Sequence, residues 1–358
     1  MDALRHIRIY LLAFGLIALF QTPLALAEQT SAASRGGQHD FDFHFGSWKT
    51  HIKSLDDPLS GSTKWTEMNG MVVDRKVWDG HANLEELEID GPDGHFEGLT
   101  LFLYNPVSHQ WNQTFVSSDS GVLSPTMTGE FKDGRGVFYS QDTNNGRTIL
   151  VRGVWSDITP NSYSYEIAYS ADGGKTWEPN FIAKLTRVSE GFVEAAPPRA
   201  GAGQDGQDAY DFNVGTWQTK ISRLMQPLSG SKTWGSYAGT HTVHTVWNGR
   251  ANIGELEVDG PTGHIEDLAL RLFNPKSHQW TVYLANSKEG TLSPPMYGEF
   301  KDGKGEFIQQ DTFKGRSILV KNTWSGITAD ACHNEWSFSE DGGKTWEVNW
   351  IADDTRIK

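Results

Sequence analysis

The run "RTILVRGVW" puts Arg147, Ile149, Val151 and Trp155 on one face of an extended strand, because strand side chains alternate with a period of two. "RSILVKNTW" does the same for Arg316, Ile318, Val320 and Trp324. An arginine at the mouth of an apolar channel, with indole rings below it, suits an amphiphile with an anionic or oxygen-rich head. Glu86 and Glu88 share a strand face, as do Glu255 and Glu257. Such a pair works as acid and base only where burial and repulsion raise one pKa. The opposite faces carry Leu87 and Ile89, or Leu256 and Val258, so these carboxylates are expected to point outward into water.

The twelve histidines are poorly spaced for a metal. His95, His264, His109 and His278 sit in or beside turns, where hydrogen bonding to turn backbone is expected. His241 and His244 are three apart and face opposite sides of a strand, so they cannot share one ion. No nucleophile elbow, phosphate loop, dinucleotide fingerprint or zinc-helix motif occurs. No cofactor and no metal is expected.

The elements that must position these residues are written twice. "SADGGKTW" begins at residue 170 and "SEDGGKTW" at residue 339, 169 apart. The same offset relates the two copies of "PLSG", of "SHQW" and of "GEFKDG". All six tryptophans of the first unit (Trp48, Trp65, Trp78, Trp111, Trp155, Trp177) have a tryptophan at the matching position of the second. A propeller would need a blade every ~40–50 residues, so two copies at this distance are two domains. Within each unit, short β-branched and alternating runs are separated by turn signals such as "DGPDG", "FKDGRG" and "TNNG". This predicts an all-β protein of two tandem antiparallel barrels, each of about ten strands, since closure removes exposed sheet edges.

The bulk numbers add limits. Arg5 and Arg8 precede the apolar run "IYLLAFGLIALF", and "ALA" closes it, which predicts a signal peptide over 1–27 and a periplasmic or secreted protein. A polar leader (28–38), a first barrel (39–188), a flexible linker (189–207) and a second barrel (208–358) follow, and the linker reads as joining separable halves. The single cysteine, Cys332, excludes an internal disulfide. A formal charge of −14 disfavours nucleic acid and anionic membrane as partners, and no membrane association is expected once the signal is cleaved.

Gly46-Ser47-Trp48 and Gly215-Thr216-Trp217 open the units, and Arg187 and Arg356 lie in their last strands. This resembles the lipocalin signature, in which an Arg from the final strand covers a first-strand Trp at the barrel base. "FDFHFGSW", "YNPVSHQW" and "SADGGKTW", with their second-unit copies, also resemble a family of mostly uncharacterised bacterial lipocalin-like secreted proteins. That family often carries a Glu two residues before the third-strand Trp. Lys76 and Thr245 stand there instead, so no role for that Glu is implied. Some haem-binding barrels use a late-strand His, which "NFIAKLTRV" lacks. "SADGGKTW" also fits the Asp-box of sialidases, but its Asp and glycines are those a hairpin turn needs.

The resemblance implies barrel closure by Trp48 with Arg187 and by Trp217 with Arg356. The expected ligand-binding residues are Trp78, Tyr104, Trp111, Arg147 and Trp155 in the first barrel, and Trp247, Trp280, Arg316 and Trp324 in the second. Tyr104, Gln113 and Phe115 face Phe273, Val282 and Leu284 in the copy, so the first pocket is expected to be the better hydrogen-bonding one. The expected function is binding of a small, partly apolar molecule in one or both barrels. An enzyme of isomerase, cyclase or hydrolase type and a module with filled barrels stay open as alternatives, and no catalytic residue is assigned.

Overall fold

The computed structural model describes residues 36–92, 94–191 and 206–357. The predicted signal, most of the leader and most of the linker fall outside the described residues. Ten antiparallel strands close the first barrel: β1 (Gly46–Leu55), β2 (Trp65–Val77), β3 (Ala82–Gly91), β4 (Gly94–Asn105), β5 (Gln110–Ser117), β6 (Met127–Lys132), β7 (Arg135–Asn144), β8 (Arg147–Thr159), β9 (Ser162–Ser170) and β10 (Glu178–Ser189). The second repeats it: β11 (Gly215–Leu224), β12 (Trp234–Val246), β13 (Ala251–Gly260), β14 (Gly263–Asn274), β15 (Gln279–Asn286), β16 (Met296–Lys301), β17 (Lys304–Phe313), β18 (Arg316–Ser325), β19 (Ala331–Ser339) and β20 (Glu347–Arg356). Each strand pairs with its neighbours in the chain, and the last returns to the first, with Trp48 opposite Arg187 and Trp217 opposite Arg356.

One end of each barrel is plugged by the segment that precedes its first strand. Phe41 lies fully buried amid Phe102, Trp111, Phe131 and Trp155. Tyr210 is its equivalent in the second barrel. Three devices hold the first plug. Trp111 Nε1 donates to the Gly37 carbonyl at 2.7 Å, and Trp48 Nε1 to that of His44 at 2.7 Å. Arg187 stacks on Trp48 with its guanidinium carbon 3.9 Å from the ring centre, and donates to the carbonyls of Phe43, Phe45 and Pro160. Trp280, Trp217 and Arg356 repeat this set, with Arg356 4.0 Å from Trp217. Backbone carbonyls at a buried end require donors, and a guanidinium supplies several in one plane.

The barrels are not separate beads. The outward side chains of β4, Leu99, Leu101 and Leu103, join Leu268, Leu270 and Leu272 of β14 in one buried cluster. Trp78 and Trp247 lie in the same cluster. Both tryptophans take positive φ (51° and 52°) in the tight turns after β2 and β12, a strained place for a bulky residue that burial in the shared core offsets. The contact is reciprocal. Gly121, after β5, abuts the backbone of Phe273 and Asn274, and its copy Gly290 abuts Tyr104 and Asn105. Asn112 Nδ2 donates to the Gly290 carbonyl at 2.8 Å, and Arg250 pairs with Glu97 across the same boundary.

Candidate functional site

A cavity of about 580 Å³ fills the first barrel between the plug and the open end. Its wall is mainly apolar, with Ile52, Val72, Leu87, Phe115, Val151 and Phe181 among the lining residues. Towards the plug it turns polar. Trp155 Nε1 donates to Gln113 Oε1 at 3.2 Å, and Gln113 Nε2 donates to Tyr165 Oη at 2.8 Å. Burial raises the Tyr165 phenol far above its ordinary range, so it stays protonated.

Glu85 of β3 also reaches this wall. Thr100 Oγ1 donates to its Oε1 at 2.7 Å, and its Oε2 lies 3.0 Å from Nε2 of His44. His44 is completely buried in the plug, with Nδ1 3.9 Å from Asp74. Asn83 Nδ2 donates to both oxygens of Asp74, at 3.1 and 2.9 Å. Burial pushes the Asp74 carboxyl up to about 6, even against the pull of His44 and Asn83. Burial also opposes the imidazolium of His44, but Asp74 and Glu85 outweigh it and its pKa is raised. A histidine that readily carries a proton thus stands behind a carboxylate that faces the cavity. The arrangement can pass a proton between cavity and plug.

The second barrel holds a cavity of about 810 Å³, which continues beside the loop after β15. Here the floor is rebuilt. Asn213, Val243 and Gly254 stand at the matching positions of His44, Asp74 and Glu85, and Arg271 replaces Phe102. Arg271 is 4% exposed and lines the cavity, with its guanidinium over the rings of Tyr210 (5.0 Å) and Trp324 (5.7 Å). Its Nη1 donates to Asn252 Oδ1 at 2.9 Å. His241 Nδ1 lies 3.5 Å from Asp354. Burial, then the charge of Asp354, pushes the Cys332 thiol up to about 12, so the sulfur is protonated and poorly nucleophilic. The second cavity, with Arg271, His241 and Asp354, is the more polar one, the reverse of the expectation drawn from Gln113.

Of the residues expected to bind ligand, Trp155 and Trp324 line the cavities. The others do not. Trp78 and Trp247 lie in the turns after β2 and β12 and pack into the core shared by the two barrels. Trp111 and Trp280 are spent on the plug carbonyls. Tyr104 packs against Trp111 at the closed end and bonds His109 Nδ1 through its hydroxyl at 3.1 Å. Arg147 and Arg316 begin their strands on the inward face, but both are exposed and turn to the neighbouring hairpin. Arg147 donates to the Ala171 carbonyl at 2.9 Å, and Arg316 pairs with Glu340. Those hairpins are self-contained: Asp172 accepts from the amides of Lys175 and Thr176, each at 3.0 Å, and these bonds hold its carboxyl far below the usual range.

Sequence reading missed His44, Asp74, Glu85 and Arg271. His44 lies inside "FDFHFGSW" with Asn213 as its copy, and Arg271 interrupts the apolar run "LALRLFN" where the first unit reads "LTLFLYN". A charge inside a run buried on both faces was the available signal. Glu86 and Glu255, expected in water, are partly buried between the barrels beside Arg75, and burial raises both carboxyls. Among the described residues no three His, Cys, Asp or Glu side chains are arranged to hold a metal ion.

No protein family and no curated protein matches the chain by sequence. Solved structures align with it only weakly. An S-type phycobiliprotein lyase from Guillardia theta aligns at 14% identity over 42% of this chain and 90% of its own, with a TM-score of 0.31. A protein of unknown function from Nostoc punctiforme aligns at 10% identity over 90% and 99%, with a TM-score of 0.27. A double mutant of transferrin binding protein B from Haemophilus parasuis aligns at 7% identity over 87% and 76%, with a TM-score of 0.17. Likeness at this level carries no functional weight.

Proposed function

We propose that this is a two-barrel binding protein for small, partly apolar molecules, with the first barrel holding one molecule between its apolar wall and the polar floor at Gln113, Tyr165 and Glu85. The observation that carries the reading is the 580 Å³ cavity, within the range of small-molecule sites, ending on a few convergent polar groups. An interior filled by side chains would have removed it. The test is native mass spectrometry of the intact protein purified without denaturation, followed by titration with the released molecule under tryptophan fluorescence. One or two retained molecules and a response that Trp155→Phe diminishes are expected. Protein without a retained molecule, and unresponsive to a panel of amphiphiles, would count against the reading.

A second reading, catalysis in the first barrel, is favoured by Glu85 and His44. A cavity-facing carboxylate 3.0 Å from a buried histidine suits proton transfer to and from a bound molecule, as in an isomerisation or cyclisation. Glu85→Gln would then keep the ligand bound and stop its conversion. Equal turnover by wild type and Glu85→Gln would remove Glu85 from the chemistry, and no turnover by wild type would remove catalysis and leave binding.

A further inference from the structure

The second barrel differs from the first by a coordinated exchange at its floor. Gly254 stands where the first barrel has Glu85, and the vacated volume is shared by the His241 imidazole and the Arg271 guanidinium. A Cβ on Gly254 would lie 2.8 Å from His241 Nε2 and 3.0 Å from Arg271 Nη1. Arg271 is buried, which lowers its pKa, yet arginine stays charged under any ordinary condition. A buried charge is costly unless paired. Among the described residues no carboxylate lies within ion-pair distance of Arg271; Asp354 acts on it only from farther off and makes its close contacts with His241 and Cys332. Asn252 and the hydroxyl of Tyr210, both neutral acceptors, and the faces of Tyr210 and Trp324 are its partners. The guanidinium therefore lies at the bottom of a cavity with donors left for something that enters.

We infer that the second barrel selects an anionic amphiphile, seating a planar or tetrahedral oxyanion on Arg271 and its apolar body between Trp324 and the walls at Ile221, Leu256 and Phe338. This rests on the reading of the barrels as small-molecule sites and adds the charge of the ligand. A phenylalanine, as in the first barrel at this position, would fill the same place without attracting an anion. Trp324 flanks the guanidinium and limits its motion, so a bound oxyanion meets a donor already oriented.

The test uses the full chain and two fluorescent probes that differ in charge. Anilinonaphthalene sulfonate carries an anionic group, and N-phenyl-1-naphthylamine has the same ring system without it. Wild type is expected to bind both. Arg271→Met should weaken the sulfonate by about 10- to 100-fold, the scale of a lost charge-assisted hydrogen bond. It should leave the neutral probe within about threefold, a change worth under 1 kcal/mol. Arg271→Lys, which keeps the charge but loses the fork, should fall between them and guards against a Met variant that fails to fold. If both probes bind wild type and Arg271→Met weakens neither or both alike, the anion assignment is overturned while the cavity reading stands. If neither probe binds wild type, the cavity reading itself fails for this barrel and the assignment with it.

Discussion

Gly290 presses against Tyr104 so closely that a Cβ on the glycine would stand 1.9 Å from the tyrosine carbonyl oxygen. Its φ of +58° is also one that side chains rarely adopt. Two penalties therefore meet at one residue. Gly290→Ala is expected to destabilise the protein by about 2–4 kcal/mol in urea unfolding, combining strain with the loss of close packing. Gly230 has φ +76° but open space where a Cβ would stand, with no atom within 4 Å, so Gly230→Ala should cost only about 1 kcal/mol. Equal losses in both would show that the barrels do not press together at Gly290.

The halves should need each other. Residues 36–191 alone would expose Leu99, Leu101, Leu103 and Trp78 in one apolar patch. Each half by itself is expected to associate or precipitate, and mixed halves to give a 1:1 complex in size-exclusion chromatography with light scattering. Two well-behaved monomers that ignore one another would overturn this.

Arg187→Ala removes a cation–π contact and donors to three carbonyls of the plug and its neighbourhood. A loss of about 2–4 kcal/mol is expected by denaturant unfolding, with Arg187→Lys recovering only part. Complete recovery by lysine would mean that charge alone matters.

The proton balance of the first plug predicts a pH effect with a definite sign. Both His44 and Asp74 have folded pKa values above their unfolded ones, 6.5 and 3.8. The folded state thus holds more protons, and their contribution is full at acid pH and lost as pH rises through the folded values. For Asp74, raised to about 6, this amounts to on the order of 1–3 kcal/mol. The double variant His44→Asn, Asp74→Val installs the residues found in the second barrel. It should be as stable as wild type or more so at pH 8, and should lose the relative advantage wild type has at pH 5. An unchanged difference between pH 5 and pH 8 would exclude these two groups as its source.

Much of this architecture was legible in advance, and the reasons differ by residue. The 169-residue offset, the period of two and the turn residues led to two ten-strand barrels, because each is a local property of the chain. Which tryptophans face a cavity was not legible. Trp78 and Trp155 look alike in sequence, yet one sits in a turn against the other barrel and one inside. The two-sided burial of β4 was written in "LTLFLYN", where polar residues fail to alternate, but a flexible-looking linker argued for independent halves. His44 was hidden because the plug is not a strand, and no strand periodicity assigns its direction.

The reciprocal contact has a consequence for how the copies could diverge. Between two identical chains, each residue near a twofold axis meets its own duplicate, and any change there is made twice. Here Arg75 has His244 as its counterpart, and burial and then Arg75 itself depress the His244 pKa. A pair of identical barrels would have brought arginine to arginine. Joining the copies in one polypeptide frees each side of the seam to mutate alone. One half can relieve a like-charge encounter while keeping its partner permanently at hand, and the two floors are likewise released to become an acidic relay in one and a cationic seat in the other.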